Sequence, residues 1–279
     1  MSINRRGGLN STALALIPLA IAINIAGGQL VKTLRLPIYL DSIGTVLTGA
    51  LLGPWIGLIT GLLSNTIWTL IGLDQFALSF APVAGIIGLL AGFAGRAGFF
   101  QRPSPRWLSA IIGGVFLFAL SIFVLMFFYA APNPDDPTAL VFPSIPELLA
   151  QQPIVPIVAF VAGLAAGYFV LKNAGYAGLA GLVTGVVAAI VSAPISAYVF
   201  GGVTGAGTDA LVAAFRSTGA GVLTSSLAQG QVSDPFDKMT SYMVVYLIIQ
   251  SLPRRLLMRF PNARAAEDSA PATGSYASR

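Results

Sequence analysis

The chain has 279 residues, of which 56% are hydrophobic and 9% charged, and its mean hydropathy is +0.82. Soluble domains carry roughly 25% charged residues. This composition excludes an ordinary soluble domain and predicts an integral membrane protein.

The chain contains no cysteine and no histidine, and its net charge is +5. It therefore lacks disulfides, thiolate metal ligands, the commonest general base and the usual zinc ligand. The positions of Asp and Glu in the sequence also predict no convergent carboxylate pair at membrane depth. We expect no enzyme activity, no cofactor, no metal site and no nucleic-acid partner, and we assign the positive charge to membrane orientation.

Hydropathy predicts the membrane crossings in chain order, since a span needs ~20 mostly apolar residues. Gly53-Pro54 divides one long apolar run, because proline favours the first helical turn. Asp234 and Asp237 around Pro235 predict a capped start for the last span, with a contact of Lys238 to ligand or lid as the alternative. The segment 201–235 is mildly apolar and either spans, re-enters or caps a pocket. The eight predicted crossings are 12–31, 41–53, 54–72, 77–95, 107–131, 153–171, 175–200 and 236–252.

Basic residues predict the orientation. With eight crossings, the Lys and Arg residues near 5–6, 96–106, 172 and 254–259 fall on one side, and the acidic loop around 135–147 falls on the other. Lys32 and Arg35 are the exceptions, since they lie on the side of the acidic loop. This favours a multi-pass cell-membrane protein with both termini cytoplasmic. The predicted parts are a cytoplasmic N-terminus (1–11), a transmembrane helical domain (12–260) and a disordered cytoplasmic tail (261–279). Six crossings remain the alternative.

Glycine and alanine recur at intervals of four in several predicted helices, as in Gly49, Gly53, Gly57 and Gly61. This spacing puts small residues on one helix face, where backbones can approach closely. We expect packing between helices of this chain, or docking of a partner subunit on one such face. Ala22 and Ala26 on the first helix are the candidate pair for a partner.

Polar residues cluster at the outer ends of the predicted helices, where buried polar groups indicate function. The ends meet on one side of the bundle, so we expect an external pocket for a small polar or heteroaromatic ligand. The alternatives are hydrogen bonds between helices and, for Asp41, an ion pair with Lys32 or Arg35. A helix after Gly205 and Gly207 carries Asp209 in its first turn. The candidate substrate-binding residues are Asn24, Gln29, Asp41, Asn65, Trp68 and Asp209.

Residues 36–65, LPIYLDSIGTVLTGALLGPWIGLITGLLSN, resemble the core of the substrate-binding S components of energy-coupling factor (ECF) transporters. The resemblance extends over 12–72 and, more weakly, over SDPFDK and the final helix. It implies an all-α, polytopic transmembrane bundle of six to eight helices that binds a vitamin or related micronutrient at its outer face.

The resemblance also implies partners: a transmembrane coupling subunit and two cytoplasmic ATPase subunits, with small residues on the first helix, here Ala22 and Ala26, contacting the coupling subunit. The chain itself would hydrolyse nothing. The alternatives are a ligand-sensing membrane module and a stand-alone secondary transporter. Riboflavin, thiamine and its pyrimidine precursor, and queuosine precursors all suit such a pocket.

Overall fold

The computed structural model describes residues 11–34, 36, 38–132, 134 and 140–268. These residues form an almost entirely helical protein, which confirms the predicted all-α class. One two-stranded antiparallel ladder, β1 (Ala131–Pro132) with β2 (Leu140–Val141), lies in the predicted loop between the fifth and sixth spans.

The helices follow the predicted order, with short additions between them. A 3₁₀ turn at Ala77–Phe80 precedes α4, and a π-helical turn at Ile195–Val199 follows α8. The helices are α1 (Ser11–Thr33), α2 (Ile43–Leu52), α3 (Pro54–Leu70), α4 (Ala81–Arg96), α5 (Arg106–Phe128), α6 (Ile145–Gln151), α7 (Ile154–Phe169), α8 (Gly175–Pro194), α9 (Asp209–Ser217), α10 (Val222–Ser251), α11 (Arg254–Leu257) and α12 (Pro261–Asp268).

Gly53 and Pro54 break the long apolar run as the sequence predicts. Gly53 has a φ of 105°, a conformation that favours glycine, and Pro54 occupies the first turn of α3. The chain therefore reverses between the short α2 and the longer α3.

Glycines spaced by four pack the helices of this chain against each other. A Cβ added at Gly57 would lie 2.3 Å from the Gly88 carbonyl oxygen of α4, and one at Gly49 would lie 2.6 Å from the same atom. Between α5 and α7, a Cβ at Gly113 would lie 2.4 Å from the Gly163 carbonyl oxygen. Only glycine allows these backbone approaches, which agrees with the predicted packing within the chain.

The predicted start of the last helix is wrong. Helix α10 begins at Val222 rather than near 236, so Pro235 lies inside it. Proline usually marks a helix start, but neighbouring helices can support a proline within a bundle helix. Here α8 does so: a Cβ added at Gly185 would lie 2.3 Å from the Pro235 Cα. Asp234, Asp237 and Lys238 are consequently central residues of α10 and not its cap.

The predicted disorder from residue 261 onward does not hold for 261–268, which form α12. Asn262 is buried, and its Nδ2 donates to the carbonyl oxygens of Gly49 (3.3 Å), Ala50 (3.1 Å) and Gly92 (3.3 Å). This contact with α2 and α4 fixes the segment, and its polar composition gave no indication of it. Residues 269–279 lie outside the described part of the chain.

Four helical stretches among the described residues are long and apolar enough to cross a membrane: Leu14–Thr33, Ala77–Arg96, Arg106–Phe128 and Gly175–Val199. A fifth results if α6 and α7, which meet at 93°, form one broken span. Large apolar side chains point outward, including Leu70 (78% exposed) and Phe128 (78%). The chain thus has the character of a multi-pass membrane protein, and the count of eight crossings stays a prediction.

The bundle has two distinct ends. At one, α1 finishes beside the turn between α3 and α4, where Lys32 and Asp74 pair at 2.8 Å. At the other, the Gln250 Nε2 of α10 donates to the Phe100 carbonyl oxygen (2.9 Å), and the Gly175 N–H donates to Ser104 Oγ (3.0 Å). We call them the cavity end and the basic end, for the features described below.

Candidate functional site

A cavity opens at the cavity end. Its volume is about 130 Å³, which is enough for a small organic molecule. Its walls come from the end of α1, residues 36 and 38–42, the facing ends of α3, α4 and α8, the loop before α9 and the middle of α10. Thr204, Ala206 and Gly207 lie in its lining, so the segment after α8 forms part of its wall.

One wall is aromatic. Trp68, Phe76 and Phe80 line the cavity, and Phe200 supports the two phenylalanines with ring centroids at 5.0 and 5.7 Å. Trp68 is 5% exposed, and its Nε1 has no hydrogen-bond partner among the described residues. A Cβ added at Gly28 of α1 would lie 2.1 Å from Trp68 Cη2. Glycine at 28 therefore makes the position of this ring possible.

The floor of the cavity is ionic. Lys238 projects from the middle of α10, and its Nζ contacts Asp41 Oδ1 at 3.3 Å, Ser42 Oγ at 3.0 Å and the adjacent Asp237 carboxylate. Lys238 and Asp237 are almost completely buried. A buried ion pair needs further hydrogen bonds to offset its loss of hydration, and Ser42 provides one.

Asp237 also fastens the loop 38–42 beside the cavity. Its Oδ1 accepts hydrogen bonds from the Tyr39 N–H (3.1 Å) and the Leu40 N–H (2.8 Å). Leu40 has a φ of 48°, which is uncommon for a residue other than glycine. The Asp237 carboxylate thus holds this loop in an otherwise unfavourable conformation.

Tyr39 connects this loop to the segment before α9 and to α10. Its hydroxyl shares a hydrogen bond with Thr208 Oγ1 (2.9 Å) and accepts one from Gln229 Nε2 (3.4 Å). Burial raises the pKa of the Tyr39 phenol far above its ordinary value, and the Asp234 carboxylate adds to the effect. Tyr39 is therefore a neutral hydrogen-bonding group at pH 7.

Asp234 lies one helical turn before Lys238 and lines the cavity, with 4% of its surface exposed. Its hydrogen bond within the described part of the chain comes from Ser233 Oγ to Oδ1, at 3.2 Å. The second carboxylate oxygen has no protein donor there and is available to a ligand.

Asp41 does not pair with Lys32, one of the two partners considered from the sequence. Lys32 binds Asp74, whose other oxygen accepts from the Phe76 N–H at 2.8 Å and caps the 3₁₀ turn. Arg35 lies outside the described residues. The actual partner of Asp41, Lys238, is 197 positions away, and no local pattern connects the two.

Three of the six predicted site residues line the cavity: Asp41, Asn65 and Trp68. The Asn65 Nδ2 donates to the Ala77 carbonyl oxygen (3.0 Å), which ties α3 to the turn before α4. The sequence analysis grouped these three residues because it placed Asp41 at the outer end of the second predicted span and Asn65 and Trp68 in the outer half of the third.

The other three predicted residues lie outside the lining. Asn24 is fully buried between α1, α2 and α3, where its Nδ2 donates to Thr45 Oγ1 (2.8 Å) and Ser64 Oγ (3.1 Å) and its Oδ1 accepts from the Gly44 N–H (2.7 Å). It therefore joins helices. Gln29 is half-buried on α1, and its Oε1 is without a partner among the described residues.

Asp209 begins α9 as predicted, but its carboxylate is occupied by its own loop. It accepts from the Thr204 N–H (2.8 Å), the Thr204 hydroxyl (2.8 Å) and the Gly205 N–H (2.6 Å). This side chain shapes the segment that contributes Thr204, Ala206 and Gly207 to the cavity wall.

Of the ionic residues Asp41, Asp234, Asp237 and Lys238, the sequence analysis predicted only Asp41 as a site residue. It placed no carboxylate deep in a helix, whereas Asp234 and Asp237 lie near the middle of α10. The motif SDPFDK was singled out, but the contact of Lys238 with ligand or lid was only its alternative interpretation. Tyr39 and Gln229 had no distinguishing pattern.

The site contains amide, indole, hydroxyl and ionic groups around an apolar hollow. Within the described ranges, no group of three or more His, Cys, Asp or Glu side chains is arranged to hold a metal ion. Such an arrangement can select and hold a small molecule. Comparison with family models, with curated proteins and with solved structures gives no match to this chain.

Proposed function

We propose that this chain is the membrane substrate-binding subunit of an ATP-driven importer for a vitamin or a related micronutrient. The observation that carries the proposal is the cavity at one end of the bundle, with Asp41, Asn65 and Trp68 in its walls. Polar groups around a mostly apolar hollow are typical of small-molecule sites. The resemblance of residues 36–65 to ECF S components supports the same role.

Charge supports an orientation with the cavity facing outward. Arg96, Arg102, Arg106 and Lys172 lie in the turns at the basic end, and Arg254 and Arg255 follow α10 there. Cytoplasmic loops carry the excess of Lys and Arg. We therefore assign the basic end to the cytoplasm, where the ATPases would act.

Helix α1 supplies a surface for the coupling subunit. Ala22 and Ala26 are exposed, and Leu19 (56%) and Leu30 (60%) extend the same stripe at helical spacing. Small exposed residues flanked by leucines let a second helix approach closely. In this proposal the coupling subunit packs here and transmits ATP-driven motion to the cavity.

The test is uptake of an isotope-labelled mixture of vitamins and their precursors by cells that express the chain. One strain carries the chain with coupling and ATPase subunits, a second carries ATPases unable to hydrolyse ATP, and a third carries the chain alone. We expect one labelled compound to accumulate in the first strain only. Equal accumulation in all three, or none in any, would contradict the proposal.

One observation favours a second candidate, the stand-alone secondary transporter. Asp234 and Asp237 lie in the middle of α10 and are buried with Lys238, and ionisable side chains within bundle helices serve proton relays in transporters. This candidate predicts accumulation by the chain alone that collapses when a protonophore removes the proton gradient. The three strains distinguish it from the ATP-driven importer.

A further inference from the structure

We infer that the substrate of this cavity carries a positive charge, as an amine or a cationic heteroaromatic ring, and that this charge lies beside Asp234 and Asp41. The inference rests on the proposed function, since it names the chemical class of the imported molecule. Three features carry it: the balance of charge around the cavity, the state of its two lysines and the character of its aromatic wall.

Carboxylates outnumber ammonium groups at the site. The ionic residues of the lining are Lys32, Asp41, Asp74, Asp234 and Lys238, and Asp237 lies directly against Lys238. Four carboxylates thus face two ammonium groups. A cationic ligand would give an ionic partner to the aspartates that the two lysines leave without one, and such pairing favours binding in a bundle surrounded by lipid.

Both lysines are already engaged, which disfavours an anionic ligand. Lys32 pairs with Asp74 at 2.8 Å, and Lys238 contacts Asp41, Asp237 and Ser42. An anion would have to displace one of these carboxylates and would then lie beside it. Asp234, in contrast, keeps one carboxylate oxygen without a protein donor within the described part of the chain, although 96% of its surface is covered.

The aromatic wall is independent of the charge balance and also indicates a ligand. Trp68 lines the cavity with 5% of its surface exposed, and its buried Nε1–H has no acceptor among the residues that the structure describes. A buried donor without an acceptor is unfavourable. An acceptor atom on a ligand seated against this ring would satisfy it, and the ring face attracts cations.

The experiment measures charge preference with three probes of one shape: 2-phenylethylammonium, 2-phenylethanol and 3-phenylpropanoate. Trp55→Phe and Trp107→Phe, at positions 64% and 63% exposed, leave Trp68 as the single fluorescent reporter among the three tryptophans. Each probe is titrated to about 10 mM against the full chain in nanodiscs.

We expect the cation to bind at least about tenfold more tightly than the alcohol or the anion. Asp234→Asn should reduce the ratio of cation to alcohol affinity below about twofold and leave binding of 2-phenylethanol unchanged, which also shows that the cavity is intact. Glu147→Gln is the matched control, since Glu147 is an exposed carboxylate on α6 outside the cavity lining, and it should change nothing.

The inference is overturned if the anion or the alcohol binds as tightly as the cation, if no probe quenches Trp68, or if Asp234→Asn keeps the preference. Should the Asp234 variant not fold, Asp41→Asn tests the same charge from the loop. An ATP-dependent uptake of a neutral or anionic compound would overturn the inference and leave the proposed function standing. A cation preference without ATP-dependent uptake would support the inference and contradict the proposed function.

Discussion

Gly28 and Trp68 meet so closely that they form a sensitive point of the cavity. A methyl group at position 28 would lie 2.1 Å from Trp68 Cη2 and 3.1 Å from Asp41 Cβ. We expect Gly28→Ala to displace the indole ring and weaken ligand binding about tenfold or more, measured by titration of the imported compound. Gly221→Ala is the control, because nothing lies within 4 Å of its added Cβ. Equal binding by both variants would show that the ring position does not matter.

Asn24 and Asn65 have the same side chain but different roles, since Asn24 joins three helices and Asn65 lines the cavity. Asn24→Ala removes the hydrogen bonds that join α1, α2 and α3 and leaves the Gly44 N–H unsatisfied. We expect it to lower the free energy of unfolding by about 2–4 kcal/mol, measured by thermal unfolding in detergent.

Asn65 lines the cavity, and Asn65→Ala removes its hydrogen bond to the Ala77 carbonyl oxygen. Its main effect should therefore be on ligand retention, with folded yield maintained. If Asn65→Ala reduces folded yield and retention together, Asn65 is a packing residue. If Asn24→Ala leaves stability unchanged, the hydrogen bonds around it contribute little.

The two asparagines also show what sequence can and cannot predict about the site. Asn24 and Asn65 look alike in a hydropathy profile, because each interrupts an apolar helix. Only the facing residues, Thr45 and Ser64 for Asn24 and the open hollow for Asn65, separate a packing role from a binding role. Lys238 and Asp41 are likewise joined by tertiary structure alone.

At the scale of the helices, prediction succeeds where the local chemistry is decisive. Gly53-Pro54 fixes the boundary between α2 and α3, since the φ of 105° at glycine and the missing N–H of proline act within two residues. Pro235 led to a wrong start for the last helix, because α10 continues through this proline where it packs against Gly185 of α8. The same limit applies to α12, whose order depends on carbonyl oxygens of distant helices.

Helix α12 therefore offers a test of the basic end. Asn262→Ala removes the three donations to Gly49, Ala50 and Gly92, so we expect α12 to detach and trypsin to cleave after Arg264 several times faster. Ligand binding at the opposite end should not change. Asn173→Ala, at an exposed position between α7 and α8, is the control. Unchanged cleavage in the Asn262 variant would show that other contacts hold the helix.

At the scale of the whole molecule, orientation decides whether the cavity can collect a nutrient. Because the natural chain has no cysteine, single cysteines can report each end. In intact cells a membrane-impermeant maleimide should label Glu147→Cys at the cavity end and label Lys172→Cys at the basic end only after lysis. Both positions are exposed. The opposite pattern would place the cavity inside the cell and contradict uptake.

The account as a whole depends on the cavity being where a ligand binds, and alkylation of a cavity cysteine measures this most directly. Ser192→Cys lies in the lining, and Thr218→Cys, exposed at the end of α9, is its control. A saturating mixture of vitamins and precursors should slow alkylation at position 192 about fivefold or more and leave position 218 unaffected. Equal rates at position 192 with and without the mixture would contradict the account.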